Sequence, residues 1–177
     1  MSVISEDELP FDEWHDQPDD MAEGAAFRAK IEQVLVPADH PHWIKFYVDG
    51  GTFMASRYRG SRNTRGVYWS MLCEDPSTEK PVLVRKQDLQ KYKTNNDAEW
   101  LAVREALQFA VNEKKGTMPI IIYSDSMLVV NQFNGKWRAK IARHHRLRTE
   151  CTLLAEGLKF VVLQWVPREV NVEKLGH

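Results

Sequence analysis

Four consecutive bulky apolar residues, Ile120-Ile121-Ile122-Tyr123, restrict the fold more than any other feature of the chain. A strand with one solvated face alternates apolar and polar positions, so a short run without alternation reads as a strand covered on both faces. Covering both faces takes helices, and the flanking sequence supplies them. Thr94 to Glu113 has helical periodicity, Ser126 to Phe133 reads as a short helix, and Ala139 to Leu158 places Leu147, Cys151, Leu154 and Leu158 on one stripe. Upstream, Trp43 to Val48 alternates Ile44, Phe46 and Val48 on one face and leads into Asp49-Gly50-Gly51, a strand followed by a tight turn. Gly66 to Leu72, Pro81 to Arg85 and Phe160 to Trp165 read as three further strands. This order implies an α/β fold: a five-stranded mixed sheet flanked by helices, with strands 1 to 3 an antiparallel meander and strands 4 and 5 joined through helices.

The chain has 177 residues, of which 43% are hydrophobic and 28% charged, enough to bury a core and too apolar for a wholly disordered or fibrous protein. No stretch approaches the roughly 20 apolar residues of a membrane helix, and the first residues are acidic where a signal peptide is basic, so a soluble, intracellular, cytoplasmic protein without a membrane partner is expected. Cys73 and Cys151 are too few for a disulfide framework or thiolate zinc site and read as buried thiols. A monomer is expected.

The net charge of −1 conceals an asymmetry. Residues 1–40 hold 11 Asp/Glu and 2 Lys/Arg, whereas residues 41–177 hold 14 Asp/Glu and 22 Lys/Arg. Residues 1–40 therefore read as an acidic, largely flexible extension, with a short helix at 21–35, and residues 41–177 as the folded domain. Leu9, Phe11 and Trp14 among the tail's acids suit either a solvated tail or a short motif for a protein partner. A net-positive domain concentrates polyanions, which makes nucleic acid the leading partner class.

Three carboxylates occupy positions where a fold of this class wants none. Asp49 and Asp125 each follow an apolar strand, and ligands of open α/β sheets gather at the carboxyl ends of strands. Either could instead cap the next turn or helix. Glu99 lies within about 60° of Ala102, Val103, Ala106 and Ala110 on the helical wheel, in the middle of the apolar stripe. An ionised carboxylate there costs several kcal/mol unless it is paired, hydrogen-bonded or bound to a cation. A capping box with Asn96 as N-cap is the other explanation of Glu99. Three such anions brought together call for a divalent cation, and hard oxygen ligands select Mg²⁺ or Mn²⁺. A carboxylate cluster with metal, facing a polyanion, is the apparatus of phosphodiester hydrolysis.

At these residues the chain resembles the ribonuclease H family. The matching segments are Phe46-Tyr47-Val48-Asp49-Gly50-Gly51, Thr94-Asn95-Asn96-Asp97-Ala98-Glu99-Trp100-Leu101-Ala102, Tyr123-Ser124-Asp125-Ser126 with Val129 to Trp137, and Trp165-Val166-Pro167-Arg168-Glu169-Val170-Asn171, in family order and spacing. The resemblance implies the ribonuclease H-like fold and an endonuclease that cuts the RNA strand of RNA/DNA hybrids. It also implies two Mg²⁺ ions per site, with Mn²⁺ as substitute, and products with 5′-phosphate and 3′-hydroxyl ends. Asp49, Glu99 and Asp125 match three of the family's four acids. At the fourth position stands Leu175, which leaves His177, Glu173 or no protein ligand as the alternatives. A non-catalytic interaction module and a structure-selective DNA nuclease of the same fold are the competing functions.

Substrate contacts are expected from two sources. Residues 136–148 carry Lys136, Arg138, Lys140, Arg143, Arg146 and Arg148 and no acid, a phosphate-facing footprint, with Arg57, Arg59, Arg62 and Arg65 as a second line. By resemblance, the backbone at Gly50 and Gly51 and the amides of Asn95, Asn96 and Gln132 would contact the ribose 2′-hydroxyl, which distinguishes RNA from DNA. Trp100, Trp137 and Trp165 read as core residues, with stacking platforms for bases as the alternative.

Overall fold

The structure is a computed structural model; it describes residues 42–55, 64–89, 91–92 and 94–176. The acidic extension, the expected helix at 21–35, Arg57, Arg59, Arg62 and His177 lie outside the described residues.

Five strands, β1 (Ile44–Ala55), β2 (Thr64–Glu74), β3 (Val82–Asp88), β4 (Ile120–Ser124) and β5 (Val161–Trp165), form one sheet in the order β3-β2-β1-β4-β5. β1 pairs antiparallel with β2 and β2 with β3, while β1–β4 and β4–β5 are parallel. The meander and the helix-joined parallel pair are those expected from the sequence. Ile120, Ile121 and Ile122 are at most 3% exposed, so the unbroken apolar run is covered on both faces.

Four helices complete the described fold: α1 (Asn95–Asn112), α2 (Met127–Phe133), α3 (Ala142–Glu156) and α4 (Arg168–Leu175). α1 packs on β1 and β2, with α3 beside it. Phe46 meets Phe109 of α1 edge-on, with ring centroids 6.2 Å apart. Trp100, Leu101, Ala106, Leu107, Leu147 and Cys151 are sealed between the two helices and the sheet, each large side chain contributing roughly 1.5–3 kcal/mol by leaving water. Burial pushes the Cys73 thiol up to about 12 and the Cys151 thiol higher still, as expected for inert buried thiols.

Two features depart from the sequence reading. Gly50 and Gly51 do not form a turn after β1. They sit inside it, opposite Trp69 and Tyr68, because both are needed there for space rather than for backbone freedom. A Cβ on Gly50 would lie 2.3 Å from the Ala98 carbonyl carbon and 2.5 Å from the Glu99 nitrogen, so the missing side chain lets α1 rest directly on the strand.

The second departure is α4, which apolar periodicity does not announce because its buried residues are only Asn171 and Leu175. Its ends are marked by Pro167 before the first turn and by Gly176 in the left-handed conformation after the last. Asn171 and Leu175, four residues apart, share the inward face. Leu175 packs with Tyr47 and Leu72, the face of β1 opposite the one that meets α1. Tyr47 stacks on Tyr123, with centroids 5.1 Å apart, and Lys174 lies over the Tyr47 ring while pairing with Glu74 at 2.7 Å. Arg85 of β3 donates to the Leu175 carbonyl at 2.7 Å.

Candidate metal centre

The register explains why Asp49 and Asp125 meet. β4 ends where Ser124 pairs with Val48, so the next residue of each chain segment, Asp49 and Asp125, emerges at one level of the sheet. Asp49 itself stands in mid-strand rather than at a strand end, and it is 5% exposed. The Asp125 turn is fixed on every side. The Ser126 amide donates to Ser124 Oγ (3.1 Å) and Ser126 caps α2. The Trp165 indole donates to the Asp125 carbonyl (3.1 Å), and Asn171 Nδ2 donates to the Val48 carbonyl (2.9 Å) and to Asp125 Oδ1 (3.3 Å). Asn171 thus ties α4, β1 and the Asp125 carboxylate together.

Glu99 arrives from the opposite direction, one turn into α1. The helix starts at a capping box of Thr94 and Asp97, in which each side chain accepts from the other residue's backbone amide. Asn96 is not the cap, and Glu99 takes no part in capping. Asp97 is fully buried: Arg143 Nε donates to its Oδ1 at 2.7 Å, and His144 Nε2 lies 3.0 Å from the same oxygen. This tie joins the first turn of α3 to the first turn of α1 and, with the close seat on Gly50, fixes where Glu99 begins.

Asp49, Glu99 and Asp125 each offer a carboxylate oxygen, and these oxygens lie within 4.8 Å of one another. Burial, reinforced by the charges of Asp49 and Asp125, pushes the Glu99 carboxyl well above the usual carboxylate range, while Arg168 pulls it down. Glu99 Oε2 is buried with no hydrogen-bond partner. Three converging carboxylates are a group of hard oxygen donors that could hold a metal ion.

The fourth acid position is apolar in fact as well as in sequence. Leu175 is 2% exposed inside its cluster with Tyr47 and Leu72. Glu173, the alternative on the same helix, is exposed on the outer side of α4 and does not join the three acids.

The expected substrate contacts divide. Asn95 is exposed and Asn96 partly so, at the start of α1, and Arg146 is exposed on α3. Gln132 is instead buried, accepting from the Trp100 indole (3.3 Å) and donating to the Arg138 carbonyl (3.0 Å), which makes it a brace between α1 and the loop after α2. Arg143, expected in the phosphate footprint, is engaged with Asp97. Gly50 and Gly51 are buried in the β1–β2 ladder, where their role is to admit α1 and the Tyr68 ring. Trp100 is core as expected, but Trp137 and Trp165 are 49% and 44% exposed, because both lie at element ends on the rim.

Sequence reasoning did not single out Asp97, Tyr68 or Arg168. Asp97 had a legible signal, Thr94 three residues before it. Tyr68 and Arg168 act on the acids only through the fold. Asp49 heads the charges that raise the Tyr68 phenol after burial itself, Arg168 opposes them, and Glu99 and Asp125 add to them.

Comparison with known proteins agrees with this architecture. The profile of a family described as reverse transcriptase-like matches residues 61–173. The bifunctional protein Rv2228c of Mycobacterium tuberculosis is 31% identical over 123 residues, which are 70% of this chain and 31% of that protein. The chain thus spans about a third of the length of that relative. Among solved structures, RNase H1 of the halophilic archaeon Halobacterium salinarum is similar at 28% identity and a TM-score of 0.55, over 74% of this chain and 89% of that one. The N-terminal RNase H domain of Rv2228c, solved as a fusion with maltose-binding protein, is similar at 26% identity and a TM-score of 0.56, over 73% and 90%. The chain belongs to the reverse transcriptase-like family and has the ribonuclease H fold.

Proposed function

We propose that the chain is a divalent-metal-dependent endonuclease that hydrolyses the RNA strand of RNA/DNA hybrids, with two Mg²⁺ ions at the site and products ending in 5′-phosphate and 3′-hydroxyl groups. The observation that carries this reading is the convergence of Asp49, Glu99 and Asp125, with Glu99 Oε2 buried and without a protein donor. The likenesses to an RNase H1 and to an RNase H domain support a ribonuclease H activity.

Asp49, Glu99 and Asp125 would hold the metal. When bound, the ions would supply Lewis-acid stabilisation of the phosphodiester and a more acidic water. The protein's own groups prepare the site. Asn171 and Trp165 hold Asp125 in place by its side chain and its backbone, so the carboxylate need not reorganise when ligand arrives. Burial and the neighbouring carboxylates push the Glu99 carboxyl upward whereas a bound cation favours its ionised form, which couples occupancy to pH. Arg168 moderates the negative field that would otherwise repel a phosphate. Arg146 and its basic neighbours would grip the backbone without reading sequence, and Asn95 and Asn96 would contact the sugar edge of the RNA strand.

The buried Leu175 favours one second reading, an interaction module that keeps the fold and binds nucleic acid without cutting it. Labelled hybrid, RNA duplex, DNA duplex and branched DNA, each incubated with Mg²⁺ and with Mn²⁺, separate the two. Cleavage of hybrid that disappears in Asp49→Asn and Asp125→Asn is the expected result; binding without cleavage under either ion supports the module, and cleavage confined to branched DNA overturns the hybrid as substrate.

A further inference from the structure

The two carboxylate oxygens of Asp97 have different tasks. Oδ2 accepts from the Thr94 amide at 3.0 Å and closes the capping box of α1. Oδ1 belongs to α3: Arg143 Nε donates to it at 2.7 Å, and His144 Nε2 lies 3.0 Å away. A cap needs only the first of these oxygens and works at the surface. Asp97 is instead fully buried, at a desolvation cost that the pairing with Arg143 offsets, so its second oxygen serves the junction of the two helices.

Helix geometry shows what that junction controls. At ~100° and ~1.5 Å per residue, Asp97 and Glu99 project ~200° apart and ~3 Å apart along the axis of α1. One side chain faces α3 and the other faces Asp49 and Asp125. Between them Ala98 rests on Gly50, and the next residue, Trp100, donates to Gln132 at 3.3 Å. The turn is therefore held at 97, 98 and 100. Glu99, whose Oε2 is buried and has no hydrogen-bond partner, takes its direction from these neighbours. Rotation of the turn on the Ala98–Gly50 contact moves Asp97 and Glu99 in opposite senses.

We propose that Arg143 is a positioning residue for the metal centre: by tying Asp97 to α3 it sets the direction of Glu99, rather than gripping the phosphate backbone of a substrate. This inference rests on the reading of Asp49, Glu99 and Asp125 as metal ligands and adds a residue that acts on them from α3. Charge and position predict opposite signs. Acting through charge alone, the Arg143 guanidinium would repel a divalent cation, and its removal would tighten cation binding. Acting through position, it aims a ligand, and its removal weakens cation binding although a positive charge has gone.

The test is Mn²⁺ binding by the full chain without nucleic acid, followed by electron paramagnetic resonance well below the unfolding temperature of each variant. Arg143→Met should raise the Kd for Mn²⁺ about tenfold, the lower end of what loss of a supporting group costs a metal site. In a Glu99→Ala background, where no carboxylate is left to aim, Arg143→Met should add no further loss. In chelator, Arg143→Met should leave the salt slope of hybrid binding unchanged. Tighter or unchanged Mn²⁺ binding, losses that multiply with Glu99→Ala, or a salt slope reduced by about 1 would each overturn the assignment, the last by returning Arg143 to the phosphates. Should Arg143→Met not fold, Asp97→Asn, whose single side-chain oxygen cannot serve both cap and tie, goes through the same cycle with the same loss expected and the same multiplication as refutation. Absence of Mn²⁺ uptake by the unaltered protein would overturn the metal centre itself, a result distinct from a Kd that Arg143→Met leaves in place.

Discussion

Gly50→Ala is the smallest change that should take the metal centre apart without touching a carboxylate. The added Cβ would stand 2.3 Å from the Ala98 carbonyl carbon, 2.5 Å from its oxygen and 2.5 Å from the Glu99 nitrogen, all backbone atoms that no rotamer change can move. Ordinary contact begins near 3.4 Å, so α1 and β1 must separate locally by about 1 Å. Because the colliding atoms belong to the peptide that leads into Glu99, its carboxylate is carried away from Asp49 and Asp125 by a similar amount. Overpacking of this kind costs about 1–3 kcal/mol of stability, and a misplacement of about 1 Å at a reacting centre can cost about 100-fold in rate. The assay is thermal unfolding with and without Mg²⁺, followed by hybrid cleavage under identical conditions. The variant should stay folded with a lower Tm, gain less from Mg²⁺ than the unaltered protein, and lose most of its cleavage. A variant with unchanged Tm and unchanged Mg²⁺ response would refute the argument that the glycine seats Glu99.

Glu99→Gln should raise stability in metal-free buffer at neutral pH by about 1–3 kcal/mol, since it removes a carboxylate whose buried Oε2 has no donor. The folded protein holds this carboxyl above its usual value of 4.5, so its stabilising contribution is complete below that pH and is lost as pH rises toward the folded value. The Tm difference between Glu99→Gln and the unaltered protein should therefore widen as pH rises above 4.5 in a chelator; a difference that narrows would contradict the sign. Arg143→Ala should lower Tm, because it strips one donor from the buried Asp97, and an unchanged Tm would show that the Asp97 tie is not stabilising. Arg146→Ala should reduce the salt slope of hybrid binding by about 1, and an unchanged slope would remove Arg146 from the substrate contacts. Asn171→Ala should weaken divalent binding measured by calorimetry, as Asp125 loses its side-chain donor; an unchanged affinity would remove Asn171 from the site.

The sheet and the three acids were legible in the sequence for the same reason: burial pattern is local. The unbroken Ile120–Ile122 run implied two covered faces, and Glu99 stood among Ala102, Val103 and Ala106 where a solvated acid would not. What escaped depends on partners distant in the chain. Glycine has two uses, freedom of φ and absence of a side chain, and only the neighbour at Ala98 shows that Gly50 serves the second. Gln132 and Arg143 look like surface polar groups until Trp100, Arg138 and Asp97 are brought beside them. α4 buries one polar and one apolar residue, so its periodicity is silent although Pro167 and Gly176 mark its limits. The apolar fourth position was visible as Leu175, but only the cluster with Tyr47 and Leu72 shows that the residue is committed to packing.

The central claim is that oxygens of Asp49, Glu99 and Asp125 bind one ion together. Anomalous diffraction from a crystal soaked in Mn²⁺ tests it most directly. The account predicts a manganese peak bounded by carboxylate oxygens of all three residues, absent from Asp49→Asn; a peak held elsewhere, or none at a concentration that supports binding in solution, would contradict it.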